Sequence, residues 1–528
     1  MAGDGRRRGG GPAGGGERYD MTHTQDAGPA TAGAEPGGPG SPASQVGEIG
    51  RQAGRGLRWS VLGNLLLKAG SFAMSLVLAR LLAPQDFGLY AIALSASQFI
   101  VYINDAGIIA ATVQWRGRLE DVAPTATVVA ISSSTALYGL FWIVAPYFAA
   151  LSGSESATGV IRVLTAVNLV YGMTAVRSAA LMRRFEQDKI TKANMVGFLV
   201  TAPVSITLAA GGAGAYSFAC GQLAGAVVTG VLVVAFAKVR IGFGVDRATA
   251  RRLLVFGLPL CAGLGVEGVL LNADAVVVGK TLGVTLLGYY LLAFNISSWL
   301  PGLVGTAVRY VALPSFSRLA EEDPGAVSLG VRRALPLLIS IVLPIGVLLG
   351  TLAPAVVVFL YGERWRPSAE VLSFLAIVMV VRMLTALVFD ILAAMGATTA
   401  TLWLNLGWAV ALIPALIAGA HLGGIRGAAI GHATVAVVVA LPLAVLALHT
   451  TGVALSPVVS ALGRPLLGGA LCAAVTVTLA HLTEGTPFAQ LAVAGGAGAL
   501  VYVLVVVPRA ELRRLGGRAA ALIPARSR

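Results

Sequence analysis

Between Leu57 and Val507 long apolar runs are broken by short polar segments, and those runs set the reading of the whole chain. Fourteen are predicted to be membrane-crossing helices: 57–82, 87–110, 122–148, 158–181, 193–211, 214–237, 253–279, 284–313, 333–360, 369–395, 400–420, 425–448, 457–480 and 488–507. Each covers roughly 20–30 residues. At 1.5 Å rise per residue, that is enough to cross a hydrocarbon core about 30 Å thick. In lipid only helices and closed barrels satisfy every backbone group, and these runs are far too long for barrel strands. The predicted fold class is an all-α integral membrane protein.

Lys and Arg fall almost entirely in every second break. From Arg51 onward, the side shared with the N-terminus carries 24 cations, among them Arg183, Arg184, Lys189, Lys192, Arg247, Arg251 and Arg252. The opposite side carries five: Arg80, Lys280, Arg364, Arg366 and Arg426. The positive-inside rule therefore places both termini in the cytoplasm, as an even number of spans requires. Composition agrees, since a chain that is 56% hydrophobic and 12% charged is no ordinary soluble domain. The formal charge of +14 sits mainly in loops and tails beside an anionic leaflet, so membrane lipid is the expected partner and nucleic acid is not. Cys220, Cys261 and Cys472 all lie within spans, where they read as packing residues.

The ends differ in kind. Residues 1–50 are rich in Gly, Pro, Ala and Ser, with a cationic cluster at Arg6, Arg7 and Arg8. They cannot bury a core and are expected to form a disordered cytoplasmic tail. Residues 509–528 form a second, basic cytoplasmic tail.

An internal repeat organises the spans. Residues 79–93, ARLLAPQDFGLYAIA, align with 279–293, GKTLGVTLLGYYLLA, at an offset of 200 that pairs Arg80 with Lys280, Gly88 with Gly288 and Tyr90 with Tyr290. Both copies follow the first span of a six-span unit. Six is even, so the units share one orientation and form a parallel repeat. The expected domains are a six-helix bundle over 51–245, a second over 246–450 and an appended helix pair over 451–508.

Motifs for chemistry are absent. Gly279-Lys280-Thr281 has Asp274 where a phosphate-binding loop needs its first glycine, and the five histidines do not form a ligand set. The outer loops are only about 2–9 residues long, with their acids scattered, so no enzyme is predicted and no cofactor is expected. Function must then rest on charges inside the membrane, which cost several kcal/mol unless they face a polar cavity or a partner. Lys68, Glu267 and Arg382 lie near the midplane, with Asp274 in the outer half of its span. Asp105, Arg177, Arg309 and Asp390 lie nearer the cytoplasm, and Arg162 close to the outer interface. Cations predominate, which suits an anionic substrate such as a phosphate or pyrophosphate. The expected substrate-binding set is Lys68, Arg382, Arg309, Arg177, Asn64, Asn272 and Asn295; the expected ion-coupling set is Glu267, Asp274 and Asp390, for H+ or Na+. Bland alternatives compete: Arg162 and Arg177 as headgroup snorkels, Glu267 as a structural ion-pair partner, and the asparagines as helix-to-helix hydrogen bonders.

The segments Leu57-Arg-Trp-Ser-Val-Leu-Gly-Asn, Leu78-Ala-Arg-Leu-Leu-Ala-Pro-Gln-Asp-Phe-Gly-Leu-Tyr, Leu271-Asn-Ala-Asp-Ala-Val-Val-Val-Gly-Lys, Leu287-Gly-Tyr-Tyr and Leu313-Pro-Ser-Phe-Ser-Arg-Leu carry a family likeness. They resemble the bacterial polysaccharide-synthesis flippases of the multidrug/oligosaccharidyl-lipid/polysaccharide exporter superfamily. The resemblance implies a V-shaped pair of six-helix bundles. It also implies outward flipping of an undecaprenyl-diphosphate-linked oligosaccharide in exopolysaccharide, capsule or O-antigen assembly, beside other assembly proteins. A lipid II flippase and an ion-coupled drug exporter are alternatives within the superfamily; a non-transporting scaffold of a polysaccharide synthase complex is an alternative from outside it.

Overall fold

A computed structural model describes residues 42–104, 112, 115, 117–239, 242–299, 316, 324–453, 456–483 and 485–507. Among the described residues the regular structure is helical, in the order α1 Pro42–Leu81, α2 Pro84–Asn104, α3 Leu119–Leu151, α4 Ala157–Thr165, α5 Val167–Arg183, α6 Gln187–Ala210, α7 Tyr216–Ala237 and α8 Arg247–Leu282. Helix α9 follows over 284–299. Then come α10 Pro324–Thr351, α11 Ala353–Tyr361, α12 Pro367–Ala394, α13 Thr398–Val435, α14 Leu441–Thr450, α15 Ser456–Leu482 and α16 Pro487–Val506. Helix α1 starts at Pro42, inside the stretch expected to be tail. Pro at a helix's first position is pre-set for the turn and loses no hydrogen bond. Residues 1–41 and 508–528 lie outside the described residues.

Ten helices among the described residues are long and apolar enough to cross a membrane, and the chain is a multi-pass membrane protein. One of the ten, Thr399–Thr450, holds two of the expected spans. It reverses at Gly423 and Gly424, the latter at φ +58°, and the arms return antiparallel. They pack so closely that a β-carbon at Gly419 would meet the Gly427 carbonyl, and one at Gly431 the Ala415 carbonyl. Helices α6 and α7 pair in the same manner through small residues, with Gly197, Thr201 and Ser205 facing Thr229, Gly225 and Gly221. Lipid tails are as apolar as leucine, so close backbone approach replaces hydrophobic burial as the cohesive force.

Large apolar side chains such as Ile143, Tyr147 and Leu199 point outward, as a lipid-facing surface requires. Helix α12 is central. Of its apolar window 67% is buried, against 17% for α1, α3 and α16, and it carries both Arg382 and Asp390.

The two copies of the repeat meet. A β-carbon at Gly88 would overlap the carbonyl oxygen of Val284, and one at Gly288 would overlap that of Pro84. The contacts are reciprocal at the offset of 200, which is the signature of a two-fold relation between α2 and α9. Two further bridges lie at the same end of the helices. Trp365 Nε1 donates to Ala79 O at 2.9 Å, and Lys280 Nζ reaches Ala150 O at 3.5 Å. Trp365 is fully buried on a 3₁₀ turn, Glu363–Trp365, which the Glu363–Arg366 ion pair braces with contacts of 2.7 and 2.8 Å. Hydrogen bonding to Arg366 holds the exposed Glu363 carboxyl below its usual range. The sequence assigns this end to the outside, and here the two halves are sealed together.

Candidate functional site

Helices α2, α8, α9 and α12 enclose a cavity of about 260 Å³ with a polar wall. Gln98 comes from α2, Asn272 and Asp274 from α8, Asn295 and Ser298 from α9, and Arg382 from α12. The Arg382 guanidinium lies over the Phe294 ring, 5.7 Å from its centroid, which offsets part of the cost of holding a cation inside the bundle. Asn272 Nδ2 donates back to Gly268 O at 2.8 Å.

Asp274 forms the buried corner of this cavity. Its Oδ2 accepts from Tyr290 Oη at 2.7 Å and lies 2.9 Å from His432 Nδ1 on the return arm of α13. All three residues are at most 5% exposed, and Oδ1 has no hydrogen-bond partner among the described residues. A buried carboxyl held against an imidazole and a phenol is an arrangement through which a proton can be handed on. Sequence reasoning found Asp274 but missed both partners. His432 lies 158 residues away and was weighed only as a metal ligand. A histidine inside an apolar span was itself the available signal.

A second cavity of about 440 Å³ adjoins the first and shares Asn295 and Ser298 with it. Lys68 on α1 faces this one, and no ion pair among the described residues involves it. The structure thus brings Lys68, Asn272, Asn295, Asp274 and Arg382 to one composite cleft. It does not bring every expected residue there. Arg177 lines neither cavity, and its Nη1 folds back on Met173 O at 3.2 Å. Asn64, one helical turn from Lys68, also lines neither. Asp390 is buried on α12 away from both cavities. Arg309, Asp105 and the side chain of Glu267 lie outside the described residues. Arg162 stacks on Trp142 at 4.5 Å and donates to its carbonyl, at the edge of the bundle.

A third space is of another character. An aliphatic groove of about 640 Å³ runs between α10, α12, α14 and α15. Val381, Leu384 and Val388 of α12 line it, at helical spacing, while Arg382 faces the polar cavity on the other side of the same helix. One helix therefore separates a charged compartment from an oily one.

An apolar exterior around an ionisable internal cleft, with two related halves sealed at one end, defines a membrane transporter. The chain belongs to the polysaccharide biosynthesis protein family, whose model matches residues 77–370. It is 27% identical over 483 residues to the succinoglycan biosynthesis transport protein ExoT of Rhizobium meliloti (strain 1021), covering 87% of this chain and 94% of that one. It is 21% identical over 395 residues to the lipopolysaccharide biosynthesis protein WzxC of Escherichia coli (strain K12), covering 72% and 78%. Among solved structures it resembles the lipid II flippase MurJ in an inward closed conformation, with a TM-score of 0.68, 14% identity and coverage of 86% of this chain and 97% of that one. It also resembles an inward-facing multidrug resistance MATE transporter, with a TM-score of 0.59, 15% identity and coverage of 74% and 99%. At such identities these likenesses establish the fold alone, one shared with both transporters.

Proposed function

We propose that the protein flips an undecaprenyl-diphosphate-linked oligosaccharide, the repeat unit of an exopolysaccharide, capsule or O-antigen, from the inner to the outer leaflet of the cell membrane by alternating access. Both termini are cytoplasmic in this reading, no covalent chemistry is performed, and other polysaccharide assembly proteins act beside it. The observation that carries the reading is the pair of membrane-buried cations, Lys68 and Arg382, in adjoining polar cavities with an aliphatic groove across α12. A pyrophosphate and several sugars cannot cross lipid unaided, because each buried charge and unpaired hydroxyl costs several kcal/mol. The cations replace the water around the phosphates, and the groove offers the isoprenoid an apolar path. The ExoT and WzxC relatives, named for polysaccharide biosynthesis, support this choice over a drug exporter.

Ion coupling through Asp274 is part of the proposal, with His432 and Tyr290 as its partners and H+ favoured over Na+. Tyr290 Oη donates to Oδ2 and His432 Nδ1 lies 2.9 Å from the same oxygen, which gives a proton a direct route between carboxyl and imidazole. The test is genetic. Deletion of the gene removes a surface polysaccharide and accumulates its lipid-linked repeat unit inside the cell. Unchanged surface polysaccharide with increased drug sensitivity supports the exporter alternative instead.

A further inference from the structure

The 440 Å³ cavity has a lining unlike that of the aliphatic groove. Of the fifteen residues lining it, seven are aromatic and seven are polar or cationic, with Met74 the exception. The aliphatic groove across α12 contains no aromatic residue at all. Helix packing in lipid asks for small and aliphatic residues, so seven aromatic side chains interleaved with amides and hydroxyls need another cause. An isoprenoid would leave those polar groups unpaired. A cationic ligand would stack on the rings but would want a carboxylate, and none is among the described residues lining the cavity, where Lys68 would repel it.

A pyranose ring satisfies both halves of the lining. One face is a patch of C–H groups that packs against the electron-rich face of an aromatic ring. Its hydroxyls donate and accept, as do Ser, Thr, Asn and Gln. The aromatic groups are held in place beforehand. Phe72 stacks on Trp299 at 4.6 Å, and Trp299 Nε1 donates to Lys68 O at 3.3 Å. Tyr90 stacks on Phe218 at 4.3 Å and accepts a hydrogen bond from Gln222. Groups fixed in advance lose little entropy on binding. Asn295 and Ser298 form the shared wall with the Arg382 cavity, so a sugar joined to a phosphate in one cavity enters the other directly.

We propose that this aromatic cavity is the saccharide subsite, that it takes neutral or acidic hexopyranosyl units and rejects basic ones, and that the phosphate it is joined to sits at Arg382. The assignment rests on the flippase reading and divides that site into a sugar compartment and a phosphate compartment.

Binding of two lipid probes to the full chain in nanodiscs tests it: undecaprenyl diphosphate, and the same lipid diphosphate bearing cellobiose. The wild type binds the glycosylated probe about tenfold more tightly, the size expected of one well-stacked ring. Phe72→Leu and Trp299→Leu keep apolar volume but remove the ring faces. They leave the bare probe's affinity within about twofold and abolish the preference, at wild-type thermal midpoint. If one leucine variant does not fold, Phe198→Leu gives the same readout from the opposite wall. Equal binding of both probes by the wild type, or a preference that survives in the folded variants, overturns the subsite and leaves the flippase reading standing. A wild type that binds neither probe overturns the flippase reading and the subsite with it.

Discussion

Lys68 and Arg382 make different demands on their surroundings, and the structure answers each separately. Arg382 rests on an aromatic face within the Asp274 cavity, where its planar fork suits bidentate phosphate binding. Lys68, a compact ammonium, sits among aromatic and hydroxyl groups next door. We expect Arg382→Ala and Lys68→Ala each to abolish flipping at near-normal protein level. Each loses charge-assisted hydrogen bonds worth about 1.5–3 kcal/mol, or roughly tenfold or more in affinity for the lipid-linked oligosaccharide. Lys68→Arg retains partial activity. Should Lys68 serve only as an ion-pair partner of Glu267, Lys68→Ala lowers expression first and Lys68→Ala/Glu267→Ala restores it; full transport by that double variant contradicts the binding role. Asp274→Asn and His432→Gln are expected to keep lipid binding while losing acceleration by an imposed proton gradient in proteoliposomes. Acceleration by the gradient in both variants equal to the wild type's removes the pair from coupling. The sequence made the isolated charges conspicuous, because each stands out in an apolar run. It did not reveal their company. Asp274, Tyr290 and His432 come from α8, α9 and α13, and the aromatic cavity draws residues from 68 to 361, beyond the reach of any periodicity.

At the scale of helices, the apolar runs anticipated where most elements lie, because length and hydropathy alone decide what can cross lipid. The repeat at offset 200 was legible as matched residues. Its physical meaning was not. Gly88 and Gly288 are alike because each must accept the other copy's backbone where α2 and α9 cross. Gly88→Ala and Gly288→Ala should each force those helices apart, with an overpacking cost of about 1–3 kcal/mol. The expected readouts are a lower thermal midpoint and faster thiol labelling of a cysteine at Ser95. Unchanged labelling and midpoint in both variants contradict the contact. A milder case is the start of α8, where Asp246 caps the helix by accepting from Thr249 N at 2.8 Å and from the Thr249 hydroxyl. The Thr249 hydroxyl and amide hold the Asp246 carboxyl below its usual value. The folded value being depressed, the cap's contribution is present at neutral pH and is lost as the pH falls below about 3.9 towards the folded value. Asp246→Asn, measured by thermal unfolding, should remove that acid dependence and leave transport intact.

On the proposed function, the whole molecule would sort one amphipathic substrate into three compartments: aromatic and polar for sugar, cationic for diphosphate, aliphatic for the lipid tail. Close contacts join the two copies of the repeat at the end that carries Gly88, Ser152 and Trp365, which on the proposed function is the outer end during loading from the inner leaflet. Orientation is then open to direct check. Cysteines at Ser154 and Glu484 should react with an impermeant reagent in intact cells, and cysteines at Arg184 and Arg247 should not. Labelling of Arg184→Cys from outside reverses the topology. The central claim, movement of a lipid-linked saccharide between leaflets, is tested most directly in proteoliposomes loaded with an undecaprenyl-diphosphate-linked oligosaccharide, by following the fraction that becomes accessible to an added glycosidase. The account predicts that accessibility climbs from half towards completion with the wild type and stays at half with Arg382→Ala. Accessibility that stays at half with the wild type, or that rises equally in both, contradicts it.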